Sequence, residues 1–106
     1  MVSEDKLRLE TLLNSGEPEK VTEALLYIAH NINDIKWAEE QLMRMANSLD
    51  EDISGLALTC LGHIARINSK ISKNIVIPFL KEKINSSNEI ISSRAEDALD
   101  DINMFT

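Results

Sequence analysis

Cys60 and His63 stand three residues apart in a stretch of helical spacing. On a helix that separation brings a thiol and an imidazole close enough to share a metal ion, or to act as nucleophile and base. Zinc needs three or four ligands. The only other histidine, His30, lies in a different part of the chain, and Cys60 is the single cysteine. No metal and no cofactor are therefore expected. Leu56, Ile64 and Ile67 surround Cys60 in the helical register, which predicts a buried thiol acting as a small hydrophobe. Neither a phosphate-cradling G-x-x-x-x-G-K nor a G-x-G-x-x-G occurs, and no strand-to-helix turn presents a nucleophile. The carboxylates are plentiful, but they gather at helix starts and on outer faces. The sequence predicts a binding protein, not an enzyme.

The charge says what could be bound. The chain has 106 residues, with 18 acidic against 11 basic, a net of −7. Nucleic acid is excluded, because phosphate contacts require a basic footprint, and so is adhesion to anionic lipid. A basic protein partner fits, since opposite fields speed its capture. Apolar residues make up 43% and charged ones 27%, which suits a single globular domain over 1–106. Aromatics are only 4%, so the core must be built from Leu, Ile, Val, Ala and Met. No run reaches the roughly 18 apolar residues of a membrane span. Met1-Val2-Ser3-Glu4-Asp5 lacks the basic start of a signal peptide, and one cysteine allows no internal disulfide. These features predict a cytoplasmic protein.

Six helices must position the candidate residues, because apolar positions recur at helical spacing and nowhere alternate as in a strand. The first spans about 3–14, with Leu7, Leu9, Leu12 and Leu13. Ser15-Gly16-Glu17-Pro18 makes a turn, and Pro18 suits the first position of the second helix, which runs to Asn31. The third carries Ile35, Ala38, Leu42, Met45 and Leu49 in steps of 3 and 4. Asp50-Glu51-Asp52 forms a cap cluster before a fourth helix from Ile53 to Asn68. Ser72 can cap the fifth, which Pro78 should kink or restart. Asn88 can cap the sixth.

Helices two, four and six share one pattern: Val21, Leu25, Ile28; Ala57, Leu61, Ile64; Ala95, Leu99, Ile102. The first positions are 36 and 38 residues apart. With Pro78-Phe79-Leu80 in the first helix of the last pair and a small Ala at one fixed place, the chain resembles the HEAT-repeat family. Where that family often carries an Arg after the Ile53 and Ile91 positions, this chain has Ser54 and Ser92. The resemblance implies an all-α fold, a short right-handed α-solenoid of three antiparallel helix pairs, in units of about 3–31, 34–68 and 72–104.

A narrower resemblance rests on Trp37-Ala38-Glu39, Leu56-Ala57, Leu61-Gly62-His63-Ile64-Ala65-Arg66-Ile67 and Ala98-Leu99-Asp100-Asp101-Ile102-x-Met104-Phe105. These segments are similar to small bacterial HEAT-like immunity proteins encoded beside polymorphic toxins, including those of contact-dependent growth inhibition (CDI) systems. The resemblance implies a protein, monomeric when unbound, that binds and silences a cognate toxin domain, often a nuclease. The alternative is a HEAT-like scaffold or adaptor unrelated to toxins.

In stacked helix pairs the second helices line one continuous face. Tyr27, His30, His63, Arg66, Asp97, Asp100 and Asp101 are offset from the buried triplets and form the candidate partner-binding set, with Tyr27, His63 and Asp101 in adjacent columns. Trp37, off the third helix's apolar stripe, is expected to cover the groove beside the second helix and is the remaining candidate contact. Phe105 is expected to cap the last core layer.

Overall fold

The computed structural model describes residues 2–106. Among them there are six helices and no strand: α1 (Val2–Leu13), α2 (Pro18–Asn31), α3 (Ile35–Met45), α4 (Glu51–Asn68), α5 (Lys73–Ile84) and α6 (Glu89–Phe105). Local chemistry sets the helix starts. Pro18 occupies the first turn of α2. Asp34 accepts the Trp37 N–H at the start of α3. Asp50 accepts from Asp52 and Ile53 at α4, and Asn88 from Ile90 and Ile91 at α6. Each cap satisfies backbone donors that the helix itself leaves open. Two turn residues take left-handed backbone, Gly16 (φ 75°) before α2 and Ser69 (φ 53°) after α4.

The structure departs from the sequence reading at several points. Leu49 continues the α3 period but is fully exposed, because α3 ends at Met45. Asn47 and Ser48 donate to the carbonyls of Arg44 and Met45, a tightening that turns the chain off the helix axis. Nor does α5 restart at Pro78. It is one unbroken helix from Lys73, since Pro78 forgoes a hydrogen bond only to Asn74, whose residue faces water. The fourth helix also begins two residues earlier than its apolar pattern, at Glu51. Within α1, Leu9 and Leu13 are buried whereas Leu7 is 66% exposed.

The packing has a simple order. Helix α1 packs on α2, α3 on α4 and α5 on α6, while α4 also lies between α2 and α6. The shortest dimension, 17 Å, is that of two helix layers. Between them Leu25, Ile28, Leu42, Ala57, Leu58, Leu61, Ile64, Leu80, Ala95 and Ile102 are fully enclosed. Leu99 is half-buried and Ala98 takes the enclosed place beside it. Hydrogen bonds between sequence-distant side chains or backbone groups span 27 to 37 residues, including Arg44 to Asn14 and Lys83 to Asn47. Each helix pair is thereby stitched to the next. Ser54 and Ser92 donate instead within their own units, to the carbonyls of Glu51 and Ile84.

Candidate functional site

The contiguous helices α2, α4 and α6 position most of the candidate residues, and the closeness of α4 to α6 depends on small residues. A Cβ on Gly62 would lie 2.6 Å from Asp101 Oδ2 and 3.2 Å from the Ala98 Cα, so a larger residue there requires the Asp101 side chain to swing away and α6 to give by a few tenths of an ångström. About two turns earlier, Gly55 has ordinary room, 3.7 Å to Arg94 Cγ. On the other side, the Cys60 thiol donates to the Leu25 carbonyl of α2 at 3.7 Å. Cys60 is fully enclosed, and burial pushes its thiol up to about 12. It stays protonated at neutral pH and is a packing residue.

His63 does not turn toward Cys60. Its ring faces His30 of α2, with centroids 5.5 Å apart and planes tilted by 33°. His63 is half-buried, and its basicity is lowered first by that burial, then by His30 and Arg66, against the opposing pull of Asp101. The lateral neighbours of His63 are thus His30 and Asp101. Tyr27 lies one turn before His30 and carries the guanidinium of Arg8, from α1, 5.3 Å over its ring. Arg66 sits 5.8 Å over Phe105. Phe105 does not close the core: it is 39% exposed, with the Arg66 guanidinium over its ring.

Trp37 is set apart from this group. It is half-buried against α1, where its indole N–H donates to Glu10 at 3.3 Å and Lys6 lies 5.6 Å over its ring. The groove it covers is beside the first helix, not the second. Lys6 also binds Asp34 at 2.6 Å, which holds the Asp34 carboxyl below its usual range.

Asp97 and Asp100 are exposed on α6 and Asp101 is half-buried over Gly62. Ion pairs among the described residues are Lys6–Asp34 and Lys20–Glu17, so none of these three aspartates is in one. Charge divides sharply between the helices. By sequence, α2, α4 and α6 hold nine acidic and three basic residues, a net of −6, whereas α1, α3 and α5 hold six and seven, a net of +1. Helix α6 alone contributes five acidic residues against Arg94. Most of the large exposed apolar side chains also lie on the acidic helices: Leu26, Tyr27, Ile67, Ile90, Met104 and Phe105. Arg8, Met104 and Phe105 were not singled out as contacts from the sequence. The helical spacing from Asp97 through Asp101 to Met104 was the signal that could have found Met104.

Glu39 is the other unforeseen residue. It is 99% enclosed and its carboxylate accepts the Ser72 N–H at 2.7 Å, tying α3 to the start of α5. No set of three or more His, Cys, Asp or Glu among the described residues is arranged to hold a metal ion. No helix among them is long and apolar enough to cross a membrane. The layer of α2, α4 and α6 presents unpaired carboxylates, the stacked Arg66 and exposed apolar side chains, groups suited to recognition.

No protein-family model matches the chain, and no curated protein matches it either. A solved structure does. A chain in the crystal structure of the CDI complex from Cupriavidus taiwanensis LMG 19424 superposes with a TM-score of 0.84 and is 33% identical, over 93% of this chain and 86% of that one.

Proposed function

This chain belongs to the family of the matched Cupriavidus taiwanensis CDI chain, and from that membership we propose that it is an immunity protein, one that binds and neutralises a cognate secreted toxin domain. The observation carrying the proposal is the alignment itself, at an identity and coverage where a shared role in a CDI complex is the simplest inheritance. The fold then reads as a short right-handed solenoid of three HEAT-like pairs, a reading supported by cross-links that join each pair to the next across 27 to 37 residues.

The division of charge supports a mechanism. A layer of net −6 presents to a basic cleft the same sign of field that a nucleic-acid substrate would. A toxin that is a nuclease would be drawn on, oriented, and its cleft covered. Tyr27, His30, His63, Arg66, Asp97, Asp100 and Asp101 are the proposed contacts, with Trp37 standing apart on α3. Binding takes place in the cytoplasm, by a monomer, with a basic partner and no cofactor.

Co-expression tests the reading. Cells producing the toxin domain encoded beside this gene should stop growing, and co-production of this chain should restore growth and co-purify with the toxin. An adjacent toxin domain that kills equally well with or without this chain sinks it and leaves the adaptor reading.

A further inference from the structure

The exposed stripe of α6 is built in a way that stability alone does not favour. Asp97, Asp100 and Asp101 are like charges at helical spacings of three and four, which repel. Asp100 and Asp101 lie just before the last turn, where the backbone dipole favours cations, and that turn contains no basic residue. The equivalent ends of α2 and α4 carry His30 and Arg66. At the matching register α6 has Met104, 75% exposed, followed by Phe105. Acidic residues thus run directly into an apolar end, on the helix with the largest negative charge.

We propose that this stripe is a docking surface for a basic amphipathic segment of the partner protein. Its Lys or Arg side chains meet Asp97, Asp100 and Asp101, and its apolar side chains cover Met104 and Phe105. Arg66 fixes the orientation. It lies over Phe105 and is a cation at this end, so the partner's own cations are turned toward Asp97 and its apolar groups toward Phe105. The segment supplies counter-charge to the three aspartates, and it covers Met104 and the part of Phe105 that stays exposed. This deepens the immunity reading and rests on it for the identity of the partner, but not for the chemistry of the surface.

Two eight-residue amidated peptides serve as probes of the whole protein by NMR, one of alternating Arg and Leu, the other of alternating Arg and Ser with the same charge. The Arg–Leu peptide should shift amides from Asp97 to Phe105 and the Met104 methyl, and bind at least tenfold more tightly. Met104→Ser with Phe105→Ser, both on exposed side chains, should erase that advantage while keeping the salt dependence. Asp97→Asn with Asp100→Asn should do the reverse. Equal binding of the two peptides, or shifts centred on other helices, overturns the surface. Growth rescue without this footprint removes the surface and keeps the immunity reading; the footprint without rescue does the opposite.

Discussion

At the scale of single residues, two buried or half-buried groups carry measurable consequences. The Glu39 carboxylate is enclosed and holds one of the open backbone donors at the start of α5. Glu39→Ala strands that N–H and leaves a void, and should cost about 1–3 kcal/mol in urea unfolding. Glu39→Gln keeps a carbonyl oxygen at the same place and should cost less. His63 binds its proton less readily in the folded chain than an ordinary histidine, whose value is 6.5, chiefly because it is half-buried. The unfolded chain therefore takes up more protons as pH falls below 6.5, and stability present above that pH is lost through the His63 folded value. The urea midpoint should drop between pH 7.5 and 5.5 by more in the wild type than in His63→Gln. An equal drop in both would remove His63 from the account. Neither environment was legible in the sequence. The His30–His63 pairing joins residues 33 apart, while the apolar repeat runs at 36 and 38, so the meeting of rings depends on how far one pair slides past the next.

At the scale of elements, much more could be read in advance, because helix starts are decided locally. Pro18, Asp50 and Asn88 mark the starts of α2, α4 and α6 by chemistry that reaches only three residues. The end of α3 had no such mark: no Gly or Pro lies between Met45 and Asp50, and Leu49 kept the period after the backbone had left it. Phe105 departs for a related reason, since a periodic pattern does not say which side chains of a helix face are left uncovered. The two α4 glycines give a paired prediction. Gly55→Ala meets ordinary van der Waals contact and should gain up to about 1 kcal/mol from helix propensity. Gly62→Ala receives the same gain but meets the Ala98 backbone at 3.2 Å, and α6 must move. It should be net destabilising by about 1 kcal/mol, as overpacking is. Thermal unfolding of the two variants side by side checks the sign of each, and a stabilised Gly62→Ala would mean that α6 yields easily.

At the scale of the whole molecule, the negative charge belongs to one layer, with −6 on α2, α4 and α6 and +1 on the other three helices. That layer also bears exposed apolar side chains, and this pairing has a consequence for the protein when no partner is present. Two free copies can bury Ile90, Met104 and Phe105 against each other only by bringing their acidic helices face to face, so mutual repulsion acts as a guard against stickiness. Salt screens the guard. It should therefore push two associations in opposite directions: capture of a basic partner weakens as salt rises, while self-association of the free chain strengthens. Sedimentation of the free protein from about 50 mM to 1 M salt reads the second of these. A mass that stays monomeric throughout would show that the apolar groups are too scattered to stick. Storage at high ionic strength, ordinarily a safe habit for an acidic protein, is then the condition under which this one should first begin to clump.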